Sequence, residues 1–153
     1  MLLQLVLMAL CLVLGIVSAQ NPTVYIIRHG EKPANKDDHG LILDGIKRAQ
    51  CLRSVFGEGS GYNIGHIMAP HRKKVECVAE TVRSYDGPGN ILIAWRHTNM
   101  GGIEEALGAY EPIEYPDDRF DLIWTDPWPY GNVTQVESEG CPGLDTDRLV
   151  DQS

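Results

Sequence analysis

Basic residues are scarce in this chain: 13 Lys and Arg stand against 21 Asp and Glu, which gives a net charge of −8. A general nucleic-acid or anionic-membrane surface is therefore excluded as an expected role, because such surfaces need an excess of positive charge. The His-x-x-x-His and Cys-x-x-Cys spacings of metal sites and the Gly-x-Ser-x-Gly elbow of serine hydrolases are also absent. We expect no metal, no cofactor and no serine nucleophile, so any anion site must be built locally.

Charge is missing altogether from residues 1–19, and an almost unbroken apolar run extends from Leu2 to Val17. This run is shorter than the roughly 20 residues of a membrane-spanning helix. Small side chains before Gln20 suit cleavage at that point. Residues 1–19 are predicted to be a signal peptide, with a retained membrane anchor as the alternative. Residues 20–153 then form one secreted domain with no stable membrane insertion.

Export has consequences for the cysteines and for one asparagine. The chain from residue 20 onward keeps Cys51, Cys77 and Cys141, an odd number, so we expect one thiol to be unpaired in an oxidising compartment. The spacing does not say which two pair. The Asn-Val-Thr triplet that begins at Asn132 predicts N-glycosylation.

Continuous apolar runs at 23–27 and 91–95 predict strands that are covered on both faces, and 64–69, closed by Pro70, predicts a further strand between them. Helical patterns lie between them. The first helix is expected to be capped by Asp44 and to end near Gly57, and its predicted core side chains are Ile46, Ala49, Leu52, Val55 and Phe56. The second carries Val75, Val78, Ala79 and Val82 on one side.

This alternation of strands and helices predicts an α/β fold in which a parallel sheet lies between helices as an α/β/α sandwich. A short helix is expected at 103–107, and 120–125 is a candidate for one more strand. The remaining proline-rich C-terminal segment is predicted to be loop.

An Arg-His pair follows the first predicted strand, Arg28 and His29, and another follows the third, Arg96 and His97. Carboxyl ends of parallel strands meet at one edge of a sheet, so the two histidines are expected to lie close together. Histidine can attack phosphorus, arginine offers a planar fork of donors to phosphate oxygens, and Gly30 allows close approach of the backbone. The pattern predicts a phosphate pocket, and the alternative for His97 is a strand-end residue bonded to the backbone.

Several segments together resemble the histidine phosphatase superfamily, the phosphoglycerate-mutase-like proteins. They are 25–31 (Tyr-Ile-Ile-Arg-His-Gly-Glu), 41–45, 49–50, 67–70 and 91–97. The stretch 115–127 is similar to that of secreted fungal members. The resemblance implies the fold of that family and a phosphomonoesterase that acts on a phosphorylated small molecule or phosphoprotein. It also implies that His29 becomes a phosphohistidine, that Arg28 binds the phosphoryl oxygens and that His97 stabilises the transferring group.

The chain departs from the family pattern after the second strand, where members usually carry Arg-x-x-x-Thr. Here Pro70 is followed by His-Arg-Lys-Lys, and the chain looks internally shortened. Arg72 is the candidate second phosphate-binding arginine, and the alternative is a solvated basic patch with Lys73 and Lys74.

The general acid is a second departure. Thr98 stands where some family phosphatases have an acidic residue, so Glu31, Glu104 and Glu105 are the candidates for the catalytic acid, and no motif selects one of them. Arg96 is expected to lower the pKa of the neighbouring His97.

Three readings follow from these features. The first is a secreted phosphomonoesterase, and the second is a degenerate relative that binds phosphorylated ligands or protein partners without turnover. The third is a truncated or mis-spliced product that folds poorly.

Overall fold

The computed structural model describes residues 21–35, 37–38, 40–69 and 75–145. The predicted signal peptide 1–19 and Arg72 lie outside the described residues. Within the described ranges, no helix is both long and apolar enough to cross a membrane.

A five-stranded open sheet forms the centre of the fold, in the order β2-β3-β1-β4-β5. Its strands are β1 (Val24–Arg28), β2 (Ile64–Met68), β3 (Asn90–Trp95), β4 (Leu122–Asp126) and β5 (Gln135–Ser138). β1, β2 and β3 run parallel, as predicted, and β1 is central. The expectation of a wholly parallel sheet is corrected by β4, which pairs antiparallel with both β1 and β5, because the long connection after β3 returns the chain in the opposite direction.

The position of β1 at the centre of the sheet explains why its sequence is apolar up to Arg28. Val24 and Ile26 belong to the buried cluster on one face of the sheet, whereas Tyr25 and Ile27 pack with the cluster on the other. Successive side chains of a strand alternate between faces, so a strand covered on both sides needs apolar residues at every position.

Three helices cover the two faces: α1 (Leu43–Val55), α2 (Val75–Arg83) and α3 (Met100–Leu107). α1 packs on one face through residues that include Leu52 and Val55. α2 and α3 pack on the other, where the predicted Val78, Ala79 and Val82 are buried. The α/β class is thus confirmed, with helices on both sides of the sheet.

The buried face of α1 differs from the prediction. Asp44 does not cap the helix but lies in its first turn, where it pairs with Lys47 at 2.9 Å. Ile46 and Ala49 are exposed, and Arg48 is buried instead. An ion-pair network around Arg48, rather than apolar periodicity, therefore sets which side of the N-terminal half of α1 faces inward.

The C-terminal segment was predicted to be loop but contains regular structure, since β4 and β5 form an antiparallel pair. A disulfide between Cys51 of α1 and Cys141 also ties it to the rest of the fold. Cys77 is exposed and has no disulfide partner in the described part of the chain, which confirms the expected unpaired thiol.

Candidate active site

The ends of β1 and β3 bring the two Arg-His pairs to one edge of the sheet. Arg28 is in register with Trp95, and the backbone N–H of His29 donates to the carbonyl oxygen of Trp95 at 3.0 Å. His97 follows Trp95 by two residues, in a short 3₁₀ turn. The structure therefore places His29 and His97 at the same edge, as the strand pattern predicted.

The surroundings of His29 favour the neutral imidazole and one of its two tautomers. Its Nδ1 lies 2.8 Å from the carbonyl oxygen of Gly30, which can only accept, so Nδ1 carries the proton and Nε2 keeps its lone pair. Burial lowers the pKa of His29, and electrostatic interactions with Lys32, Arg28 and His97 lower it further, against the raising effect of the Gly30 bond. The neutral imidazole is thus the form favoured at neutral pH.

His97 contacts a residue that the sequence analysis did not single out. Its Nε2 lies 3.0 Å from Oδ1 of Asp117, and its Nδ1 is buried without a partner among the described residues. Burial and the charge of Arg28 lower the pKa of His97, Asp117 opposes this, and Arg96 contributes least. The direction predicted from Arg96 is confirmed, although burial is its main cause.

Arg28 is buried and holds the chain that follows α3. Its Nη1 donates to the carbonyl oxygens of Asp117 and Arg119, each at 2.7 Å, and of Pro116 at 3.4 Å. Its guanidinium carbon lies 3.7 Å from the ring centroid of Phe120. Nε has no partner in the described ranges. Arg28 therefore has a structural role that the motif did not reveal, and phosphate binding by it stays a prediction.

Glu31 does not face a reacting group in the described structure. Both of its carboxylate oxygens accept from Arg48, at 2.8 to 3.2 Å. Such contacts favour a structural partnership over the predicted general-acid role.

The other two acid candidates differ in their surroundings. Glu104 lies on the buried side of α3, where Oε2 accepts from the backbone N–H of Ile113 at 3.0 Å, and burial raises its pKa to about 7. Glu105 is exposed and lines a cleft beside His97.

This cleft has a volume of about 440 Å³, and its walls come from α3 and the chain after it. Its carboxylates are those of Glu105, Glu114 and Asp117, and His97 lies at its margin. Two of these carboxylates, Glu114 and Asp117, lie in a loop and belong to no recognisable motif. The sequence therefore did not identify them as site residues.

Of the remaining predicted positions, the structure describes Asn132, which lies away from the two histidines. Asn132 is half-buried in the turn between β4 and β5, and its Oδ1 accepts from the backbone N–H of Glu111 at 3.3 Å. Glycosylation at Asn132 stays a prediction, as does the role of Arg72.

Comparison of the chain with protein-family models found no match, and neither the curated proteins nor the solved structures gave one.

Proposed function

We propose that this chain is a secreted phosphomonoesterase with the fold and chemistry of the histidine phosphatases. The observation that carries the proposal is the pair formed by His29 and Gly30: the carbonyl oxygen fixes the proton on Nδ1 and so leaves a lone pair on Nε2. A nucleophile toward phosphorus needs that lone pair. The predicted signal peptide and the Cys51–Cys141 disulfide support export.

The reaction proceeds in two displacements. Nε2 of His29 attacks phosphorus, the bond from phosphorus to the ester oxygen breaks, and the leaving alkoxide takes a proton from an acid. Water then attacks phosphorus, the bond from Nε2 to phosphorus breaks, and a proton of that water returns to the same acid. Inorganic phosphate leaves, and the free imidazole is restored. His97 and Arg28 stabilise the negative charge of the transferring group, which is worth roughly 3 kcal/mol per well-placed donor.

Asp117 is the better placed proton donor on geometric grounds. It lines the cleft and contacts His97, whereas both oxygens of Glu31 accept from Arg48. The leaving group of a phosphorylated small molecule or phosphoprotein would lie in the same cleft.

A second candidate function is supported by Arg28. Because its Nη1 already donates to backbone carbonyl oxygens, part of the fork that a phosphate would use is occupied. A degenerate relative that binds phosphorylated ligands without turnover would tolerate this arrangement.

The test is hydrolysis of a chromogenic phosphomonoester by residues 20–153 between pH 4 and 8. We expect turnover and an acid-labile, base-stable phosphoryl label on the protein, both lost in His29→Ala. Lys47→Ala, an exposed change on α1, serves as the matched control. Background hydrolysis by all three proteins, with phosphate binding retained, would discard the enzyme in favour of the degenerate relative. A broad, non-cooperative thermal melt would instead support the poorly folded product.

A further inference from the structure

Arg48 is the most deeply buried cation described, with 1 % of its surface exposed. Its Nε and Nη2 donate to both oxygens of Glu31. On its other side, Nη1 donates to Glu139 at 2.7 Å and to Asp145 at 3.2 Å, and Nη2 also reaches the carbonyl oxygen of Leu144 at 2.9 Å. The guanidinium therefore joins α1 to the residue after Gly30 and to the C-terminal segment.

The C-terminal side of this network is firmly anchored. The disulfide between Cys51 and Cys141 ties the segment to α1, one turn beyond Arg48. Glu139 is itself buried. Because Arg48 is held by these partners, it presents a fixed fork to Glu31.

The backbone of Glu31 is fixed as well. Its carbonyl oxygen accepts from the N–H of Ile42 at 3.1 Å. At Gly45, an added Cβ would lie only 2.8 Å from the nitrogen of Glu31, so the loop after β1 rests directly on the start of α1. Gly30 meets the same surface, where an added Cβ would be 3.0 Å from the carbonyl oxygen of Gly45.

We propose that Arg48 is a positioning residue for His29. By holding Glu31, it fixes the peptide group between Gly30 and Glu31, and the carbonyl oxygen of that peptide accepts from Nδ1 of His29. Together with the backbone bond from Ile42, Arg48 thus sets which imidazole nitrogen carries the proton. An apolar side chain could fill the same space but could not orient this carbonyl oxygen. The catalytic meaning of the inference rests on the proposed function, whereas its effect on the tautomer does not.

Imidazole nitrogen resonances report the tautomer directly. In protein labelled with ¹⁵N-histidine, with the His29 signals assigned from His29→Ala, we expect a protonated Nδ1 and an unprotonated Nε2 at pH 7. In Arg48→Met we expect a mixture of tautomers and a changed titration midpoint for His29. Arg48→Lys keeps the charge but loses the planar fork. We therefore expect its His29 tautomer populations to lie between those of the parent protein and those of Arg48→Met.

Turnover supplies the second measurement. We expect kcat to fall at least about tenfold in Arg48→Met while KM stays within about twofold, since a mispositioned nucleophile slows the chemical step. Arg53→Met, an exposed change on the same helix, is the matched control and should leave both measurements unchanged.

The outcomes separate this inference from the proposed function. If folded Arg48→Met keeps the parental His29 tautomer, the inference is overturned, whatever the activity. If the tautomer shifts in a protein that never hydrolyses phosphomonoesters, positioning by Arg48 stands and the phosphatase proposal fails. Should Arg48→Met not fold, Glu31→Gln tests the same link with Arg48 in place, and an unchanged His29 tautomer there also overturns the inference.

Discussion

Nε2 of His97 lies 3.0 Å from Oδ1 of Asp117, whose side chain is 91 % exposed. When it is ionised, this carboxylate repels an incoming phosphate and also occupies the nitrogen that would face it. In Asp117→Asn we expect inorganic phosphate to bind about threefold more tightly, the scale of an exposed charge pair. Turnover should fall at the same time, because the proposed proton donor is gone.

Calorimetric titration with phosphate and steady-state kinetics measure these two effects. Asp118→Asn, an exposed neighbour, is the control and should change neither. Unchanged phosphate affinity in Asp117→Asn would show that the contact with His97 does not limit anion binding.

Two buried carboxyl groups, Glu104 of α3 and Asp126 of β4, predict that the free energy of unfolding decreases as pH rises. Burial raises the pKa of Glu104 to about 7 and that of Asp126 to about 6, from ordinary values of 4.5 and 3.8. Their protonated forms are favoured by folding, so this stabilisation is complete below about pH 4 and is lost as pH rises through 6 and 7. For Glu104 it amounts to at most about 3 kcal/mol.

Thermal melts of Glu104→Gln between pH 5 and 8 check this, because an amide cannot ionise. We expect a flatter decline of Tm than in the parent or in Glu105→Gln, an exposed neighbour on α3. His29 and His97 act oppositely, since their lowered pKa values favour the fold as pH rises toward 6.5. The difference between variant and parent isolates Glu104, and identical slopes would contradict the prediction.

Arg28 is expected to contribute to stability as well as to phosphate handling. Arg28→Lys removes Nη1, which donates to the carbonyl oxygens of 116, 117 and 119, and the stacking of the guanidinium on Phe120. Loss of these buried contacts should cost about 2–4 kcal/mol, which differential scanning calorimetry would detect as a drop in Tm of several degrees. Arg96→Lys, at an exposed position, is the control. A Tm equal to the parent's would show that these contacts do not stabilise the fold, and phosphate binding would then be the one role proposed for Arg28.

The acidic cleft predicts a preference among phosphomonoesters. Glu105, Glu114 and Asp117 line it, so a cationic leaving group should be favoured over a polyanionic one. We expect kcat/KM for phosphoethanolamine to exceed that for inositol hexakisphosphate by at least about tenfold. The double variant Glu105→Gln, Glu114→Gln should narrow this ratio, whereas Glu58→Gln, an exposed control, should not. A preference for the polyanion in the parent protein would mean that the leaving group does not enter this cleft.

Much of the α/β core follows from local apolar patterns. The runs around β1, β2 and β3 and the spacing of Val78, Ala79 and Val82 indicated the three parallel strands and α2 correctly. The prediction that His29 and His97 lie at one edge of the sheet followed from the same strands. β5 was not predicted, because its sequence Gln-Val-Glu-Ser is mostly polar and its pairing with β4 comes from backbone hydrogen bonds.

The polar partners inside the fold could not be predicted in the same way. Arg48 looks like any helix-surface cation until Glu139 and Asp145, about 90 residues away, come to meet it. The pairing of Asp117 with His97 likewise depends on the path of a loop. Local sequence patterns carry no information on such long-range partners, so the roles of Glu31 and Arg28 read from the motif were incomplete.

The position of β1 between β3 and β4 has a consequence for synthesis of the protein. β1 leaves the ribosome early, but its second edge is covered only when Leu122–Asp126 has emerged. Until then an apolar strand offers unpaired N–H and carbonyl groups to any neighbouring chain. A chain cut before residue 122 is therefore expected to aggregate rather than persist as a smaller folded unit.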